Sequence, residues 1–108
     1  CVRCLTPEEI ADAYEMNTGH LIVREFMRLG KEPMAVPAVL CQNHGPFAWG
    51  KNPDNAVYNA VVMEQVAKMA YLSFAINPET SMNPLLVEKH FSRKHGPNAY
   101  YGQKKKQG

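Results

Sequence analysis

Three stretches of the chain carry apolar residues at helical spacing, and each follows the same start signal. A capping residue comes first and a proline takes the first helical position. The first stretch opens at Thr6-Pro7-Glu8-Glu9, where Thr6 can cap and Glu9 can reach back to complete a capping box. Ile10, Tyr14, Leu21, Ile22 and Phe26 then recur at helical spacing and predict one helix ending at Gly30. Gly19 falls inside it, at a cost of about 1 kcal/mol relative to Ala. The second stretch opens at Asn52-Pro53-Asp54 and runs through Ala56, Ala60, Met63, Ala67, Tyr71 and Phe74. It is apolar on more than one side, which predicts a mostly buried helix. The third opens at Asn83-Pro84, carries Leu86, Val87, His90 and Phe91, and ends at Gly96.

Between the first two helices the pattern changes. Val36-Pro37-Ala38-Val39-Leu40-Cys41-Gln42 is a short apolar run and predicts a buried strand. His44-Gly45-Pro46 is a turn signal, and Phe47-Ala48-Trp49-Gly50 predicts a second strand. Three helices with two strands define an α/β class, but two strands do not make a self-sufficient sheet. The pattern therefore describes part of a layered α/β domain, with no internal repeat.

Composition narrows the function classes. At 108 residues and 45% hydrophobic, the chain is long enough for one domain and too apolar to be disordered. No apolar run approaches the roughly 20 residues of a membrane helix. The net charge of +2 owes its sign to Lys104, Lys105 and Lys106, without which nine basic residues face ten acidic ones. A terminal lysine run of this kind is a solvated end, not a surface built for a nucleic acid. Three cysteines and no apolar leader favour free thiols in the cytoplasm. The opening residue is Cys1, which reads as a processed or incomplete start.

The candidate chemistry centres on a few side chains. Cys1-x-x-Cys4 with Cys41-x-x-His44 has the spacing of a structural zinc site, although strand alternation sets Cys41 and His44 on opposite faces unless the turn has begun. A buried strand cysteine is more commonly a small hydrophobe. His44, at a strand end before a glycine, can point into the crevice where open α/β sheets bind ligands, or simply bond to turn backbone. His90, beside Leu86 and Val87, reads as a core histidine; His95 suits a helix C-terminus. Tyr100 and Tyr101 can pack against a neighbouring subunit or pass a proton. The chain has no glycine-rich phosphate loop and no Ser-His-Asp arrangement.

Two longer strings carry a resemblance. Asn43-His44-Gly45-Pro46-Phe47-Ala48-Trp49-Gly50-Lys51 resembles the segment bearing the last metal histidine of the class II aldolase superfamily, in the form of its pentulose-phosphate 4-epimerase branch. Lys94-His95-Gly96-Pro97-Asn98-Ala99-Tyr100-Tyr101-Gly102-Gln103 resembles that branch's C-terminal end. Tyr14-Glu15, Thr18-Gly19, Asn55-Ala56-Val57 and Asn59-Ala60-Val61-Val62 fit the same family. The resemblance covers residues 1–103 and leaves 104–108 as a basic tail.

This resemblance implies the C-terminal part of a three-layer α/β/α domain and the interconversion of L-ribulose 5-phosphate and D-xylulose 5-phosphate by retro-aldol and aldol steps. One Zn2+ per subunit, held by three histidines, would act as Lewis acid on the ketose. His44 would be its third histidine, and Tyr101 the proton donor or acceptor, reaching the active site of an adjacent subunit in a homotetramer. His90 and Arg93 would lie near the substrate, and Glu15 coincides with a family acid. The chain reads Gln42-Asn43-His44-Gly45 where familiar members read His-Ser-His-Gly; the last histidine, the ligand, is retained. It contains no His-x-His pair. The other two metal histidines and the phosphate loops belong to the family's N-terminal half, so this polypeptide alone is expected to be inactive. The alternatives are a class II sugar-phosphate aldolase, such as an L-fuculose-phosphate aldolase, and a non-catalytic subunit-binding module.

Overall fold

The computed structural model describes residues 1–102; the lysine run 104–106 and the end of the 1–103 segment lie outside the described residues. The element order is α1 (Pro7–Ala11), α2 (Tyr14–Leu29), β1 (Ala38–Cys41), β2 (Gly45–Ala48), α3 (Pro53–Ile76) and α4 (Pro84–His95). Four helices and a two-stranded sheet thus stand where three helices and two strands were expected.

The extra helix arises because the first stretch breaks. The Thr6 hydroxyl accepts from the Glu9 amide at 3.3 Å, and Glu9 accepts from the Thr6 amide at 2.8 Å, so the capping box forms. Arg3 grips the same carboxylate with two bonds of 2.9 Å. Those bonds hold the Glu9 carboxyl well below its ordinary range, at about 2. After one turn the chain leaves helical geometry at Asp12 and Ala13. The Asn17 side chain then donates to the Glu9 carbonyl at 2.9 Å, which satisfies an acceptor the break would otherwise strand. Only the second piece buries part of its apolar side, at Phe26, while Ile10 on the first is 54% exposed. α2 closes with the Gly30 and Lys31 amides bonded back to Met27 and Phe26.

β1 and β2 form an antiparallel hairpin, with Cys41 opposite Gly45 and Ala38 opposite Ala48. The turn is Gln42-Asn43-His44, with Asn43 left-handed at φ 60°. The second strand therefore begins at Gly45, two residues before its predicted start at Phe47, and Pro46 lies within it. That placement is tolerable in a hairpin whose outer edge needs no proline donor. Val2 lies parallel along the other edge of β1, its amide on the Leu40 carbonyl at 2.8 Å and its carbonyl taking the Gln42 amide at 3.0 Å. It is 1% exposed, and with Phe26 and Cys41 it makes up the buried apolar core among the described residues.

The Trp49 carbonyl accepts from the Asn59 side chain at 2.7 Å, and the Trp49 indole donates to the Pro33 carbonyl at 2.9 Å. Gly50 passes so close to the start of α3 that a Cβ there would sit 2.6 Å from the Ala56 amide nitrogen. Asn52 caps α3 as predicted, its side chain accepting from Asn55 at 2.9 Å. The prediction of a mostly buried helix fails, since α3 has no buried residue. Val57, Tyr58, Val61, Val66, Met69 and Phe74 are each more than half exposed. An apolar helix of 24 residues needs cover on several sides, which one hairpin and two helices do not provide.

The chain divides into two compact units, Cys1–Tyr71 and a second beginning at Leu72. In the second, Asn83 caps α4 by accepting from Leu85 at 2.9 Å. Gly96 closes it as predicted, with its amide on the Ser92 carbonyl. A Cβ at Gly96 would stand 2.5 Å from that same oxygen, so the close approach itself demands glycine. No helix among the described residues is long and apolar enough to cross a membrane.

Candidate functional site

The hairpin turn lifts His44 out of the sheet. Its amide bonds the Cys41 carbonyl at 3.1 Å, and its side chain is exposed. The imidazole stacks on Phe47 of β2 at 4.7 Å between ring centroids, and Tyr14 at the start of α2 stacks on it at 5.9 Å. Two aromatic rings from different elements thus hold one imidazole. Tyr14 is itself fixed through its backbone, whose carbonyl takes the hydroxyl of the buried Thr18 at 2.8 Å. A cavity of about 130 Å³ opens beside the ring, bordered by Cys4, Ile10, Tyr14, Thr18, Cys41 and His44.

The Cys1, Cys4, Cys41 and His44 spacing does not become a zinc centre. Among the described residues no three of His, Cys, Asp or Glu gather as a metal-binding group. Cys41 is buried, and burial pushes its thiol pKa up, against the thiolate that a metal takes. Cys4 instead accepts from the Asn43 side chain at 3.1 Å, and Cys1 is exposed.

The other predicted residues lie in the second unit. His90 is on α4 and exposed, which overturns its reading as a core histidine. His95 ends the helix and packs against Phe91, 5.0 Å between ring centroids. Past Gly96 the chain folds back on the helix end. The Tyr100 and Tyr101 amides both bond the Arg93 carbonyl, at 2.9 and 3.0 Å, and the Arg93 guanidinium lies 4.4 Å from the centre of the Tyr101 ring. Arg93 and Tyr101 are therefore brought together, with Tyr101 still 54% exposed. Glu15 sits exposed in the first turn of α2.

Sequence reasoning missed the part Phe47 plays at His44. Its only trace was position, an aromatic three residues beyond a turn histidine, on the strand that turns back along it.

The Class II Aldolase and Adducin N-terminal domain family matches residues 3–71, so the chain belongs to that family. The match ends at Tyr71, where the first compact unit also ends. Similarity to individual proteins extends further, over 96% of the chain. The chain is 52% identical over 107 residues to the L-ribulose-5-phosphate 4-epimerase UlaF of Salmonella paratyphi C (strain RKS4594) and equally to that of Salmonella choleraesuis (strain SC-B67). It is 51% identical to the enzyme of the same name from Salmonella typhi. The chain spans 45% of the length of each of these curated relatives.

Proposed function

We propose that these residues serve a metal-dependent L-ribulose-5-phosphate 4-epimerase that works at the full length of the relatives. The observation that carries the reading is the exposed imidazole of His44, stacked with Tyr14 and Phe47 at the end of a hairpin. It stands in a chain 52% identical to 4-epimerases. His44 fits a divalent metal as one donor. Its ring stacks with two aromatic neighbours and its side chain is exposed to a ligand, but a catalytic zinc takes about three protein donors. The remaining donors come from outside this chain in our reading, and the metal is Zn2+. Bound there, the metal supplies a Lewis acid for the ketose carbonyl.

Tyr101 gives and takes the proton at the hydroxyl of the carbon that inverts, in the site of an adjacent subunit of a homotetramer. His90 and Arg93 lie toward the substrate, a pentulose phosphate, and the setting is cytoplasmic. The assignment of the segments, 1–103 as aldolase-like domain and 104–108 as tail, belongs to the same proposal.

The test is a coupled assay for D-xylulose 5-phosphate with the protein at the relatives' length. His44→Asn should lower turnover at least about 100-fold and empty the metal site, since even residues that only support a ligand cost 10–100-fold. The 108-residue chain alone should show neither turnover nor tight zinc binding. Full metal occupancy in His44→Asn would overturn the assignment of His44. Release of two free fragments from the substrate, without epimer, would favour the aldolase alternative.

A further inference from the structure

We infer that Arg93 is a positioning residue for Tyr101, holding the tyrosine by backbone and side chain together. The inference rests on the reading of Tyr101 as the proton-transfer group and changes the part assigned to Arg93 within it.

The helix end explains how the arrangement forms. The last carbonyls of a helix have no partner inside it. In α4 the Ser92 carbonyl is taken by the Gly96 amide at 2.8 Å, and the Arg93 carbonyl is taken by both Tyr100 and Tyr101. Gly96 permits the tight reversal, and the Ala99 amide closes the following turn on the Gly96 carbonyl at 3.0 Å. These bonds bring the Tyr101 backbone to within one residue of the guanidinium. The Arg93 side chain then lies over the ring face, 4.4 Å from its centroid. A flat cation on an aromatic face is attractive and directional, and the planar guanidinium suits it better than an ammonium does.

This geometry engages the face of the ring rather than its hydroxyl edge. Tyr101 is 54% exposed and Arg93 is only partly so. An exposed aromatic on the loop after α4 has rotameric freedom that must be limited for it to react. A reacting group displaced by about 1 Å can lose about 100-fold in rate. Arg93 restricts that freedom from beneath the ring, on the residue whose carbonyl already anchors the backbone.

Because a positioning group acts only through its neighbour, the experiment is a double-mutant cycle in the full-length protein with Arg93→Met, Arg93→Lys, Tyr101→Phe and the double variant Arg93→Met/Tyr101→Phe. Arg93→Met should lower kcat about 10- to 100-fold with KM within about twofold. Arg93→Lys, which keeps a cation but loses the planar group that lies on the ring, should recover only part of that loss. Arg93→Met should add nothing in the Tyr101→Phe background. A rise in KM with kcat unchanged, or losses that simply multiply in the double variant, would overturn the inference and make Arg93 a substrate ligand.

Chymotryptic cleavage after Tyr101 separates this inference from the reading beneath it. Faster cleavage in Arg93→Met than in wild type supports the hold on the tail whatever Tyr101 does in catalysis, and equal cleavage overturns it. Unchanged kcat in Tyr101→Phe sinks the catalytic reading of Tyr101 alone.

Discussion

The histidine at the hairpin and the tyrosine after α4 are held in opposite ways. His44 depends on rings contributed by α2 and β2, on a strand edge sealed by Val2, and on a buried threonine that anchors its upper neighbour. Tyr101 depends on one helix end, where a single residue supplies both the carbonyl and the cation that hold it. The first arrangement exists only if distant segments pack, whereas the Arg93 contacts of the second lie within α4 and the loop that follows it. A site assembled from distant parts should fail cooperatively, and one hung on a helix end should loosen locally.

The largest expected effect strikes the hairpin. Phe47→Ala removes the nearer of the two rings stacked with His44 and should weaken metal binding about 10- to 100-fold, as losing a group that orients a ligand does. Metal titration of the full-length variant measures it, and unchanged affinity would mean that Tyr14 alone orients the ring. Next comes a matched pair of glycine substitutions. Gly50→Ala drives a Cβ to 2.6 Å from backbone at the start of α3, and Gly96→Ala drives one to 2.5 Å from the Ser92 carbonyl. Each forces a shift worth about 1–3 kcal/mol. Thermal unfolding should register Gly50→Ala in full, while Gly96→Ala should chiefly speed proteolysis after α4. Equal loss of global stability from both would break the comparison.

Smaller still is the loss of a cap. Asn83→Ala removes the acceptor for the Leu85 amide and should cost about 1 kcal/mol, read as hydrogen exchange confined to the first turn of α4. The smallest effect is a pH dependence in the first unit. The Glu9 carboxyl is held at about 2, first by Arg3 and then by the Thr6 amide, against an ordinary 4.5. Its folded pKa lies below its unfolded one. Its contribution is therefore complete above pH 4.5 and is lost as pH falls through that value toward about 2. Arg3→Gln should flatten that limb of an acid titration followed by circular dichroism, and an unchanged limb would show that the capping box alone holds the carboxylate down.

Where the three capped helices begin was legible in the sequence, and so was the family. Thr6, Asn52 and Asn83 each cap the helix predicted from them. The strings around His44 and Tyr101 carried the resemblance that the family match and the relatives support. Illegible were the break at Asp12 and Ala13, the early start of β2 and the bareness of α3. The break depends on Asn17 reaching back across the gap to Glu9. The start of β2 depends on which of two adjacent turns forms, and a left-handed Asn43 decided it.

By itself the sequence determined what is settled within one turn of chain. Caps, prolines at helix starts and the glycine closures of α2 and α4 act between residues three to five apart, where composition alone specifies the hydrogen bond. Only the tertiary structure decided that Tyr14 and Phe47 meet on His44, that Val2 seals the hairpin edge, and that Arg93 comes to lie over Tyr101. Such contacts depend on how helix, strand and loop pack in three dimensions, and local spacing carries no record of that.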